Sequence, residues 1–121
     1  LMAVFYFNLK SFEIDGKKVI EKRGLNTSGM AQQFIDSEVL RLCDPYVPKD
    51  TGALIDSGII NTQIGSGKVK YRTPYARRWY YMPADFQDAP MRGNYWFERM
   101  KAQGGKDKIL RGIKRITGGN G

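Results

Sequence analysis

The residue types that usually do chemistry are few in this chain, and each lacks the partner its chemistry would need. Among 121 residues there is one cysteine, Cys43, and no histidine. Triads, dyads and zinc sites that depend on imidazole are therefore excluded. Cys43 closes an apolar helical stripe, where a free thiol behaves as a small hydrophobe. A single cysteine makes no internal disulfide, in keeping with a reducing compartment. Asp85, Asp88 and Glu98 come closest to a carboxylate cluster. They lack a metal-ligand spacing, and Asp85 and Asp88 sit among prolines, where solvated loop residues are expected. Gly65-Ser66-Gly67 has the composition of a phosphate cradle without the following Lys-Ser/Thr or the strand-to-helix context, so a hairpin turn is the better reading. No catalytic residue, metal or cofactor is expected.

What stands out is charge. Lys and Arg number 20 against 12 Asp and Glu, for a net charge of +8. That balance suits nucleic acid, an anionic surface or an acidic protein partner. The stretch "VKYRTPYARRWYY" interleaves Lys70, Arg72, Arg77 and Arg78 with Tyr71, Tyr75, Trp79, Tyr80 and Tyr81. Such a mixture can stack on bases and hold phosphates. It can equally fill a core or a protein interface, where Tyr, Trp and Arg are at home. The segment "KDKILRGIKRI" poses the same choice: Ile109, Leu110, Ile113 and Ile116 fall on one side of a helix, and Lys106, Lys108, Arg111, Lys114 and Arg115 mostly on the other. A small basic nucleic-acid-binding protein is therefore one of two functional readings.

These residues have to be positioned by one domain's worth of chain, residues 1–121, with no internal repeat and no apolar run near the roughly 20 residues of a membrane helix. No secretory signal pattern is present, so the cytoplasm is the default compartment. "AVFYFNL" alternates, with Phe5, Phe7 and Leu9 on one face and Val4, Tyr6 and Asn8 on the other, and reads as a strand. Its phase shifts at Ser11, where Phe12 and Ile14 take even positions, and Asp15-Gly16 marks a turn. Beyond Asn26, Thr27 and Ser28, each a cap candidate, Ala31, Ile35, Val39 and Leu42 form a helical stripe flanked by Phe34 and Cys43. Pro45 stops that helix. Pro48 holds the exit extended, Asp50 or Thr51 caps a short turn through Ala53-Leu54-Ile55, and Gly58 ends it with positive φ.

"IINTQIGSGKVKYR" reads as a β-hairpin around Gly65-Ser66-Gly67. Pro74 opens a helical turn in which Tyr75, Trp79 and Met82 share a face, and Pro83 to Gly93 is a loop. Asn94 is the expected cap of a short helix carrying Trp96 and Met100, which Gly104-Gly105 interrupts. Residues 117–121 are read as a flexible tail. The expected fold is a small single-domain α+β protein: an antiparallel β-sheet, a long helix before the hairpin, and C-terminal helices packed on it.

Three of these stretches, in order, carry a family likeness. "PYVPKDTGALIDSG", "VKYRTPYARRWYY" and "GNYWFERMK" resemble the minor capsid proteins of tailed bacteriophages and prophages, of the head–tail connector or tail-completion type. In that family a Val/Ile-Pro-x-Asp/Glu-x-Gly-x-Leu turn precedes a β-hairpin, a Pro-Tyr-Ala-Arg segment follows, and a Trp-Phe-Glu helix closes the domain. The matching positions are Val47, Pro48, Asp50, Thr51, Gly52, Leu54 and Gly58; Pro74, Tyr75, Ala76 and Arg77; and Trp96, Phe97 and Glu98. The likeness spans roughly residues 25 to 110. It implies a non-enzymatic virion protein assembled in the bacterial cytoplasm. Such a protein is a homo-oligomeric ring between portal or adaptor and tail-terminator proteins, with DNA passing through the channel in transient contact and no membrane involved. The hairpin's unpaired edge would then accept a strand from a ring neighbour.

Overall fold

Pairing of the two strands of the sheet joins residues sixty or more positions apart. A computed structural model describes residues 2–10, 28–49 and 52–116. In it, β1 (Ala3–Asn8) runs antiparallel to β2 (Lys68–Thr73), with Phe5 opposite Tyr71 and Phe7 opposite Val69. Strand alternation sends Phe5, Phe7, Val69 and Tyr71 inward to burial, while Val4, Tyr6, Asn8 and Arg72 face out exposed. Helix α1 (Ser28–Cys43) follows the expected stripe: Ala31, Ile35, Val39 and Cys43 are buried and Phe34 and Leu42 half-buried. It stops before Pro45, and Asp44–Tyr46 continue as a single tight 3-10 turn. The architecture is α+β, a two-stranded antiparallel sheet with helices on its inner face and along one edge.

The hairpin reading of residues 59–72 is wrong in its first half. Helix α2 (Ala53–Asn61) carries straight through Ile59 and Ile60, and only Lys68–Thr73 is strand. The helical period was present in Leu54, Ser57 and Gly58, the residues this helix buries. Two of the three are too small to register as an apolar stripe. Gly58 therefore sits inside the helix against the Tyr71 ring, and the positive φ belongs to Gly52 at the helix start (φ 85°). The strand that pairs with β2 comes instead from the N-terminus.

Helices α3 (Ala76–Tyr81), α4 (Trp96–Met100) and α5 (Lys106–Ile116) complete the described chain. Between the last two, Lys101–Gly105 form a wide turn kinked at Gly104 (φ 95°), as the glycine pair led one to expect. Asn94 does not cap α4. Tyr95 precedes the helix in left-handed geometry (φ 52°), and Asn94 instead accepts two hydrogen bonds from the Arg99 guanidinium, at O (2.5 Å) and Oδ1 (2.9 Å). An arginine just over one turn along thus takes the side-chain oxygen that would have capped the amides. Helix α5 buries Ile109 and Ile113 against α1, where Gly112 admits the Phe34 ring; a Cβ there would collide with it.

The core beneath the sheet is aromatic. Phe5 stacks on Tyr80 (4.0 Å between ring centres) and Phe7 on Phe97 (4.5 Å), while Trp96 meets Tyr71 and Tyr80 edge-on. Offset and edge-to-face pairs of this kind add to the free energy of burying the rings. The expected turn at Asp15-Gly16, the phase shift at Phe12 and Ile14, the caps Asn26, Thr27 and the Ser28 side chain, the caps Asp50 and Thr51, and the tail 117–121 lie outside the described residues.

Candidate functional site

The start of the corner Asp44–Gly58 is fastened by the loop that ends at Gly93. Val47 is extended (φ −71°, ψ 134°) before Pro48, and both are buried. The Arg92 guanidinium donates to the carbonyl oxygens of Asp44 (2.6 Å) and Val47 (2.7 Å), and the Gly93 amide donates to Tyr46 O (2.9 Å). The end of the Pro83–Gly93 loop is thereby tied to the end of α1. Beyond the corner, α2 lies along the outer edge of β2 and satisfies it with side chains. Lys70 N donates to Thr62 Oγ1 (3.0 Å) and Arg72 N to Ser57 Oγ (3.2 Å), while Ser66 Oγ accepts from Lys68 N (3.3 Å). Strand addition at this edge is foreclosed, because its amides already have partners. Nothing in the apolar pattern announced Ser57 and Thr62 as edge caps.

The glycine loop does hold an anion, one supplied by the chain itself. Asp36, fully buried on α1, accepts from the amides of Gly65 (2.8 Å) and Gly67 (2.9 Å), and its other oxygen accepts from Gln32 Nε2 (2.9 Å). Gly65 and Gly67 both have positive φ (97° and 82°), the conformation that turns successive amides toward one point. The carboxylate occupies the place a phosphate would take, so the loop binds α1 and not a ligand. The sequence signal was available: a charged residue next to Ile35 on a stripe that is otherwise apolar.

The remaining chemistry-bearing residues are inert or solvated. Cys43 is fully buried, and burial pushes its thiol far above the ordinary range. The hydroxyls of Tyr71 and Tyr80 are likewise raised, chiefly by burial. Asp85 and Asp88 are exposed, and Glu98 pairs with Lys101 (3.1 Å). Among the described residues no three His, Cys, Asp or Glu side chains gather as metal ligands, and no helix is long and apolar enough to cross a membrane. The buried indole N–H of Trp96 makes no full hydrogen bond, and the polar group it acts on is the Tyr71 hydroxyl, whose ionised form it favours.

The basic and aromatic residues divide into separate surfaces. Tyr71 and Tyr80, and from the third motif Trp96, belong to the core, which removes Tyr80 from any interface. Ala76 and Leu54 are buried and Phe97 is half-buried on Phe7. Lys70 and Arg72 stand on the outer face of the sheet. Arg77 and Arg78 are exposed on α3, Arg77 over the Tyr81 ring at 5.7 Å. Lys108, Arg111, Lys114 and Arg115 face solvent on α5.

Two apolar surface clefts lie at opposite ends of α2. At its start, Pro48, Ala53, Pro74, Tyr75 and Trp79 line a small hollow that continues into a cleft of about 410 Å³, where Tyr75 and Trp79 are joined by Met82 and Pro83. The face shared by Tyr75, Trp79 and Met82 is thus real, and Pro74 and Tyr75 are exposed on its rim. At the other end a cleft of about 520 Å³ is lined by Leu40, Pro45, Ile59 and Ile64, and Ile60, the next residue of α2 after Ile59, is 79% exposed. No protein-family model, curated protein or solved structure matches the chain.

Proposed function

We propose that this chain is a structural protein of a tailed-phage virion, a ring-forming head–tail connector or minor capsid protein that bridges portal and tail by assembly. The phage setting rests on the three ordered motifs, Val47–Gly58, Pro74–Arg77 and Trp96–Glu98. The observation that carries the assembly reading is the pair of unlike apolar clefts at the two ends of α2. A closed ring is built from heterologous contacts, in which each subunit offers one patch to one neighbour and a different patch to the next. Exposed isoleucines on a chain of net charge +8 are the kind of surface that association covers. The corner Asp44–Gly58, locked by Arg92, sets where α2 points and so fixes the angle between the patches.

Sedimentation velocity across a wide concentration range tests this. Concentration-dependent growth toward one discrete closed species, abolished by Ile60→Lys, is the expected result. Equal sedimentation of the original and substituted chains at every concentration would overturn the assembly reading.

A further inference from the structure

The outer face of the β-ribbon is a ladder of cations that only partly coincides with the basic stretch visible in the sequence. Lys68, Lys70 and Arg72 occupy alternate positions of β2 and therefore one face. Across from them stand Asn8, Tyr6 and Val4, in that order. At about 3.4 Å per residue, successive cations are spaced about 6.8 Å apart. A strand of duplex DNA carries one phosphate per about 3.4 Å of axis, a regular row of negative charge that a row of three cations on one face can meet. The ion pairs Arg41–Glu38, Arg92–Asp44 and Lys101–Glu98 do not draw on the ladder cations. The main-chain amides of all three ladder residues are held by Ser66, Thr62 and Ser57. The spacing is therefore set before any ligand arrives, which lowers the ordering cost of binding.

We propose that this ribbon face binds the phosphate backbone of double-stranded DNA. The duplex is favoured over a single strand by the state of the Tyr6 ring on this face. Lys68 Nζ sits over the Tyr6 ring at 4.9 Å, so that ring is not an open platform for an unpaired base. Helix α5 presents its cations on a helical surface of different spacing. The binding is charge-driven, and contacts made to phosphate carry no sequence information.

Fluorescence anisotropy of a short labelled duplex, titrated with the full chain at several salt concentrations, is the test. Replacing all three cations (Lys68→Gln, Lys70→Gln, Arg72→Gln) is expected to flatten the slope of log affinity against log salt by about 2.7, near 0.9 for each phosphate no longer neutralised. Replacing Arg111 and Arg115 on α5 with Gln is expected to leave most of the slope intact. Should the triple variant fail to fold, Arg72→Gln alone is expected to remove about 0.9 of the slope. An unchanged slope in the ladder variant, a larger loss in the α5 variant, tighter binding of a single strand, or no duplex binding by the original chain would each overturn the proposal. The inference does not rest on ring assembly, and the sedimentation behaviour of Ile60→Lys reports on that separately.

Discussion

On one side of the β1–β2 ribbon, Phe5, Phe7, Val69 and Tyr71 are buried among Tyr80, Trp96 and Phe97; on the other, Val4, Tyr6, Lys68, Lys70 and Arg72 share the outer face. The same twelve backbone positions support both. A one-residue slip in register would exchange the two sets, placing charges under the helices and rings in water. The inner face thus determines the register, and the outer face is free to be selected for what it meets. Substitutions inside should change stability, and substitutions outside should change binding.

The largest effect expected from breaking that division is Trp96→Ala, at about 4 kcal/mol of lost stability by urea unfolding. Tyr6→Ala, across the ribbon, should cost under about 1 kcal/mol. Equal losses at the two positions would end the comparison. Next comes Asp36→Ala, which strands the buried Gly67 amide and the amide of Gly65. It is expected to cost about 3 kcal/mol and to speed hydrogen exchange at those two amides ahead of the α1 core. Gly58→Ala places a methyl 2.6 Å from Tyr71 Cε1 and 3.1 Å from Leu40 Cδ1. A loss of about 2 kcal/mol is expected there, whereas Gly29→Ala, with open space around it, should gain up to about 0.8 kcal/mol from helix propensity.

The smallest effect concerns pH. Hydrogen bonding from Arg41 holds the Glu38 carboxyl below its ordinary value of 4.5 in the folded chain. A depressed folded value means that the pair stabilises above the unfolded value, and that this contribution disappears as pH falls through the folded one. The pair is a surface one, with 66% of the Arg41 side chain exposed. Glu38→Gln should therefore cost only about 0.5 kcal/mol near neutrality and nothing in strong acid, which parallel denaturant titrations at the two pH values would resolve.

Much of the fold could be read in the sequence wherever one element carried its own period in large side chains. The β1 alternation, the Ala31–Cys43 stripe ending before Pro45, the two-sided α5 and the break at Gly104 were all of this kind. Helix α2 escaped because its buried face is Leu54, Ser57 and Gly58, where contact with Tyr71 and Leu40 replaces bulk with closeness. Of the surfaces offered for function, the Tyr75–Trp79–Met82 face was legible as a helical repeat. The ladder was only partly so, since Lys68 joins Lys70 and Arg72 once residues 68–73 are known to be a strand.

By itself, then, the sequence determined the local elements, their stops, the lack of imidazole chemistry and the basic balance, because each depends on residues a few positions apart or on composition alone. Tertiary structure decided that β2 pairs with β1, that Asp36 fills the glycine loop, that Arg92 pins the corner, and which cations stand together. Those contacts join residues from 29 to more than 60 positions apart. At that separation no periodicity links the partners, and the choice among them is made by which burial and hydrogen bonds can be satisfied together.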